Sequence, residues 1–173
     1  MEVFKYILPA FIVMMTAYLM FDKMMSREDK KQRMGLDNER KSAVIPIRLR
    51  SYERLMLLIE RTNPSTMVMQ VIKPGMSCIE FQTLLLDYIR KEYEHNYSQQ
   101  IYVSDQLWKA IGLTRETIVR HINNCAKEFQ PEDSASQMAE MLITTYAAAE
   151  NNPSQFAADL LKSETKVLFF PEG

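Results

Sequence analysis

Glycine and cysteine are both scarce in this chain of 173 residues. So few glycines argue against a glycine-rich loop that cradles phosphates, because such a loop needs several of them close together. Two cysteines are too few for a disulfide framework and favour free, buried thiols. The glycines are Gly35, Gly75, Gly112 and Gly173, and the cysteines are Cys78 and Cys125.

Catalytic signatures and a strong net charge are also missing. The formal net charge is −1, so the overall charge gives no reason to expect a nucleic-acid partner. The H-E-x-x-H, G-x-S-x-G and nucleotide-binding patterns do not occur in the sequence. We therefore predict a protein that is not an enzyme and that holds no cofactor.

An uncharged apolar run near the N-terminus is the most informative feature that is present. Residues 6–21 read YILPAFIVMMTAYLMF, and as a helix they would rise about 24 Å. The aliphatic stems of Lys5 and Lys23 can lengthen the apolar surface, so that residues 3–25 contact the lipid bilayer. We predict a single transmembrane helix at residues 1–25. The sequence AYLMFDKMM, where the run ends, lacks the A-x-A spacing of a cleaved signal. A cleaved signal and a buried core helix are the less favoured alternatives.

The distribution of basic residues predicts the orientation of this anchor. Positive residues stay on the cytoplasmic side of a membrane, and they are concentrated after the apolar run, whereas only Lys5 precedes it. We therefore predict a single-pass protein of the bacterial inner membrane with its N-terminus outside and its body in the cytoplasm. The basic residues of the following segment are Lys23, Arg27, Lys30, Lys31, Arg33, Arg40 and Lys41.

Composition and capping signals predict an all-α body. Thirteen methionines and four glycines favour helices over strands and tight turns. We predict a charged juxtamembrane linker at 26–43, a cytoplasmic bundle of five to six helices at 44–165 and a C-terminal tail at 166–173. The expected helix starts lie at Pro46, Asn63-Pro64, Ser77 with Glu80, Ser104, Thr114, Ser134 and Asn152-Pro153. The helix from Ser77 is expected to reach about Val103, and the last helix to end at about Lys162.

The segment 104–122, SDQLWKAIGLTRETIVRHI, resembles a bacterial helix-turn-helix, with one helix ending at Gly112 and the next beginning after Thr114. In that interpretation Arg115 and Arg120 contact DNA. Trp108 stands where the motif needs a small residue, and the region is nearly balanced in charge. A membrane-anchored DNA-binding regulator is therefore the alternative function, and a nucleic-acid partner is disfavoured.

Two pairs of residues have partial metal-ligand spacing. Glu92 and His95 form one half of the Glu-x-x-His pattern of di-iron bundles, which need two such halves. His121 and Cys125 are one helical turn apart and would give zinc only two ligands. A core histidine beside a buried thiol is the preferred interpretation, so no metal site is predicted.

Residues 45–108 contain the phrases RSYERLMLLIER, NPS and EHNYSQQIYVSD. With the anchor, they resemble an uncharacterised family of short Bacteroidetes proteins that have an N-terminal membrane anchor and a helical cytoplasmic body. The resemblance implies this topology and no catalytic residue. It also suggests a candidate polar interaction surface, or a buried polar network, formed by Glu94, His95, Asn96, Gln99, Gln100, Tyr102, Ser104 and Asp105.

These observations together predict a non-catalytic interaction or scaffold protein that is held at the membrane. Its partner would be another protein or a second copy of the chain. Confinement to a membrane raises the effective concentration of a weak binding face toward its neighbours, so modest contacts suffice.

Overall fold

The computed structural model describes residues 2–149 and 152–169, and within them the chain is all α-helical. Side chains are described for residues 11, 14–25, 42–149 and 152–168. The residues whose backbone is described form no strand, and they contain one isolated β-bridge, between Ser77 and Ser134. The all-α prediction is confirmed. The helices are α1 (Glu2–Thr62), α2 (Pro64–Val71), α3 (Cys78–Asn96), a 3-10 helix (Tyr97–Tyr102), α4 (Asp105–Ala126), α5 (Ala135–Ala147) and α6 (Pro153–Phe169).

Backbone contacts divide the chain into two units, Met1–Ile45 and Pro46–Gly173. Within the described part of the chain, no helix combines the length and the apolar character needed to cross a membrane. The anchor predicted at residues 1–25 includes residues 1–10, 12 and 13, whose side chains lie outside those described, and it stays a prediction. Several large apolar side chains of this helical segment are exposed, namely Phe11, Met14, Met15, Tyr18, Leu19, Met20, Phe21, Met24 and Met25.

Helix α1 is longer than the sequence pattern predicts. We expected the helix of the anchor to extend into 26–43 and to be followed there by a flexible linker, with a new helix beginning at Pro46. Instead, α1 passes without a break through Gly35 and Pro46. An interior glycine costs about 1 kcal/mol and an interior proline about 3 kcal/mol, so each weakens a helix without having to end it. The many Lys, Arg, Glu and Met residues around them favour continued helix, and the predicted flexible linker is wrong for the backbone.

The unit that begins at Pro46 contains two apolar cores. The first core joins α2, α3, α5 and the C-terminal half of α4, and the second joins the end of α1, the N-terminal half of α4 and α6. Large buried side chains of the first core include Met67, Val68, Phe81, Leu85, Ile89, Ile118, Ile122, Met138, Leu142 and Tyr146. Those of the second core include Tyr52, Leu55, Leu107, Ile111 and Leu161.

Helix α4 is continuous, so the predicted helix-turn-helix at 104–122 is wrong. The expected turn at Gly112 lies inside the helix, between Ile111 of the second core and Ile118 of the first. These two residues are seven apart and therefore lie on nearly the same side of a helix. An unbroken helix presents them to both cores, and this packing outweighs the cost of one interior glycine.

Most predicted helix starts agree with the structure. Asn63, Ser77, Ser104 and Ser134 each cap a helix by accepting a hydrogen bond from a backbone N–H of its first turn. The side chain of Asn152 does the same for α6, accepting from Ser154 N at 3.0 Å. These caps satisfy N–H groups that have no partner within the helix.

The helix ends agree less well with the predictions. We expected the helix that begins at Ser77 to reach about Val103, but α3 ends at Asn96 and a 3-10 helix follows it. We expected the last helix to end near Lys162, but α6 continues to Phe169 and takes in the start of the predicted tail. Leu168 packs against the second core, which accounts for the added turns, while residues 170–173 lie outside the described residues.

Candidate functional site

The eight residues of the predicted polar cluster do not share one surface. They follow the end of α3, the 3-10 helix and the start of α4, and they differ in exposure. Asn96 and Gln99 are buried, Gln100 and Tyr102 are half-buried, and the other four are exposed, namely Glu94, His95, Ser104 and Asp105. The cluster therefore consists of an inner part and an outer part.

The inner part joins the 3-10 helix to α1. The Gln99 side-chain oxygen accepts a hydrogen bond from Ser51 Oγ at 2.9 Å, and both residues are buried. Asn96 donates to the Glu92 carbonyl at 2.8 Å, within the last turn of α3. Buried polar groups need such partners, because leaving one without a hydrogen bond costs about 1–3 kcal/mol.

The outer part includes a hydrogen-bond network around the carboxylate of Glu164, which we call the Glu164 network. Tyr52 donates to Glu164 Oε2 at 3.3 Å, and the backbone N–H of Ser104 donates to the same oxygen at 3.4 Å. The Ser104 hydroxyl donates to Glu164 Oε1. Arg48 extends the network by donating to the Tyr52 hydroxyl at 2.7 Å and to the Tyr102 carbonyl at 3.1 Å.

The Glu164 network connects three helices by charge and hydrogen bonds. Glu164 on α6 lies at the N-terminus of α4, where the helix dipole favours a negative charge. Burial raises the pKa of the Tyr52 hydroxyl, so this group stays protonated and donates. The arrangement holds α1, α4 and α6 together. Sequence reasoning missed Arg48, Tyr52 and Glu164, because the contacts that join the three helices link residues 54 to 112 positions apart and leave no local signal.

The residues of the partial metal motif at Glu92 and His95 have other partners. Glu92 forms an ion pair with Arg61 at 3.4 Å, and His95 Nε2 lies 3.2 Å from a guanidinium nitrogen of Arg54. Throughout the described ranges, no three His, Cys, Asp or Glu residues are grouped so that they could hold a metal ion. The two side chains are therefore placed beside cations.

His121 and Cys125 lie beside α5, at the edge of the first core. His121 Nε2 is 3.1 Å from Thr145 Oγ1, 3.2 Å from the Leu142 carbonyl oxygen and 3.9 Å from Cys125 Sγ. Burial raises the pKa of the Cys125 thiol, which disfavours the reactive thiolate. This geometry is that of a hydrogen-bonded histidine next to a buried thiol.

A surface groove of about 670 Å³ lies between α3 and α4, and we call it the α3–α4 groove. Its apolar lining residues, Leu86, Ile89 and Val119, belong to the first core or pack against it. Its polar and charged lining residues are Arg90, Tyr93, Glu94, Arg115, Glu116, Arg120, Asn123, Asn124 and Lys127.

Several side chains of the groove are held by neighbours. The Arg115 guanidinium lies over the ring of Tyr93, 4.3 Å from its centroid. Gln82 donates to Asn123 at 2.9 Å across the two helices. Among the side chains that the structure describes, Arg120 forms no ion pair. The structure thus places both predicted DNA-contact residues, Arg115 and Arg120, along the wall of this groove, and their contact with DNA stays a prediction.

Comparisons with known proteins give a family and no function. No curated protein and no solved structure matches the chain. A model of the DUF7935 family, described as a family of unknown function, matches residues 1–168. Because the match covers nearly all of its length, the chain belongs to the DUF7935 family.

Proposed function

We propose that this protein is a membrane-tethered interaction protein without catalytic activity. Residues 3–25 insert into the bilayer of the bacterial inner membrane, the N-terminus lies outside, and the body from Pro46 onward lies in the cytoplasm. The single observation that carries the proposal is the exposed apolar surface of α1 between Phe11 and Met25. Surfaces of that kind mark contacts with a membrane or with a partner protein.

The distribution of these side chains around the helix favours lipid over a protein partner. Four consecutive residues are exposed, with exposed fractions of 71% for Tyr18, 56% for Leu19, 75% for Met20 and 63% for Phe21. Consecutive helical residues differ by about 100° in direction, so these four point to all sides of the helix. A single docking face covers one side of a helix, whereas lipid surrounds it.

The charges that follow the apolar segment support the cytoplasmic placement of the body. Seven basic residues lie between Lys23 and Lys41, whereas Lys5 is the one basic side chain before the apolar run. Basic residues near the end of a span are retained on the cytoplasmic side. A body tethered there meets membrane-bound neighbours at a raised effective concentration, which suits a protein that binds others.

The anchor is tested by washing membranes that contain the full-length chain with alkaline carbonate. We expect the wild-type chain to stay in the membrane pellet. A Leu19→Lys variant should be partly released, because a charge inside a span opposes insertion, with a cost that reaches about 2.5–3.5 kcal/mol at the centre of the span. Leu57→Lys is the matched control, since Leu57 is also an exposed leucine of α1 but lies outside residues 3–25.

The result that contradicts the anchor is release of the wild-type chain by carbonate. Equal retention of the wild-type chain and both variants would also count against it, because the apolar character of residue 19 would then be irrelevant. Protease added to sealed, inside-out vesicles tests the orientation. It should degrade the body, and protection of the body would reverse the proposed sidedness.

A further inference from the structure

We propose that the α3–α4 groove binds an acidic protein segment that inserts a large apolar side chain. This inference rests on the proposed role as an interaction protein and adds the chemistry of its partner. The floor of the groove provides the first argument. Leu86 and Val119 are half-buried beside the buried Ile89, so part of their apolar surface stays open to a ligand. Covering such surface with an apolar side chain is favourable.

The charges of the groove provide the second argument. Four cationic side chains line it against two carboxylates, so its potential favours a negative ligand. Arg90 is paired with Asp87 at 2.5 Å, and Arg115 is placed over Tyr93. Arg120 is exposed and forms no ion pair with any described residue, which leaves its fork of donors available to a carboxylate.

The same lining favours a peptide over nucleic acid. A phosphate backbone carries a uniform negative charge and would meet the carboxylates of Glu94 and Glu116 along its path. The apolar lining residues cannot hydrogen-bond to phosphates, whereas they can pack against the apolar side of an amphipathic peptide. The side-chain oxygens of Asn123 and Asn124 accept from Gln82 and Lys127, and their NH2 groups can donate to the carbonyls of a peptide backbone.

The test uses the full-length chain in a neutral detergent and a phage-displayed library of random peptides as the probe. We expect selection to enrich peptides that combine several Asp or Glu residues with a Leu, Phe or Trp. The enriched peptides should bind Arg120→Glu at least about tenfold more weakly than the wild-type chain. Replacing their large apolar residue with Ala should weaken binding by a similar factor.

Lys109→Glu is the matched control for this experiment. Lys109 is an exposed cation on the same helix and is not among the groove's lining residues. Both variants replace a cation with Glu, so they change the net charge equally. Binding that falls in Arg120→Glu and is kept in Lys109→Glu supports the groove. Peptides without acidic enrichment, or equal losses in both variants, would overturn the proposal.

Two further probes separate other anionic partners. A DNA duplex and detergent micelles that contain phosphatidylglycerol are titrated against the same three proteins, with micelles of the neutral detergent alone as the blank. Binding of either probe that depends on Arg120, with no acidic peptide enriched by the selection, would overturn the proposal in favour of that partner. Peptide binding is measured in detergent, and the anchor is tested by carbonate extraction. Failure of the peptide experiment therefore leaves the conclusion about the anchor unchanged, and release of the chain by carbonate leaves the peptide result unchanged.

Discussion

At the scale of single residues, the carboxylate of Glu164 makes contacts that the sequence did not reveal. Glu164 accepts hydrogen bonds from Tyr52 on α1 and from the hydroxyl and backbone N–H of Ser104 at the start of α4. The serine was recognisable as a cap from its position before an amphipathic segment. The glutamate was not, because nothing in its own neighbourhood distinguishes it from a solvent-exposed helix residue.

We predict that Glu164→Ala lowers the free energy of unfolding by about 1–2 kcal/mol, because hydrogen bonds to a charged group are lost and the site is only partly exposed. Urea unfolding followed by circular dichroism measures the change. Asp159→Ala is the control on the same helix, since Asp159 is exposed and its partners among the described residues are the nearby Gln155 and Lys162. An equal loss in both variants would contradict a special role for Glu164.

At the scale of helices, starts were predictable and ends were not. A start depends on a local bond between a side chain and a backbone N–H a few residues away, as at Ser77 and Asn152. An end depends on what the last turns pack against. Leu168 contacts the second core and α6 continues to it, whereas an interior glycine at Gly112 does not end α4.

We predict that Ser77→Ala destabilises the protein by about 0.5–2 kcal/mol, the usual range for loss of an N-cap. Ser77 accepts from the Glu80 N–H, and the Glu80 carboxylate in turn accepts from the Ser77 N–H at 3.1 Å. Thermal unfolding of the variant reports the loss. Ser136→Ala is a matched control, because Ser136 is an exposed serine in the first turn of α5 and is not its cap. A smaller effect for Ser77→Ala than for Ser136→Ala would contradict the capping assignment.

At the scale of the whole molecule, the fold class could be read from composition, but the arrangement of the cores and the candidate site could not. Few glycines and many methionines predicted helices. The apolar series Leu107, Ile111, Ile118 and Ile122 has the spacing of one continuous stripe, and it was the available signal against a turn at Gly112. The α3–α4 groove left no such signal, because its walls meet only after α3 and α4 pack.

We predict that a chain lacking residues 1–25 is soluble without detergent and unfolds in a single cooperative transition. Residues 46–173 form a compact unit with two apolar cores, which provides the basis for autonomous folding. Sedimentation and urea unfolding monitored by circular dichroism measure the two properties. The full-length chain, handled without detergent, is the comparison and should pellet. Aggregation of the shortened chain would show that the body needs the N-terminal residues.

The unbroken course of α4 has a consequence for recognition. Its first turns are fixed by Leu107 and Ile111 against α1 and α6, and its later turns by Ile118 and Ile122 against α3 and α5. Helix α4 forms one side of the α3–α4 groove, and because it is packed at both ends it does not have to become ordered when a ligand binds. Little binding free energy is therefore spent on ordering the protein, so even a groove of modest size can hold a ligand.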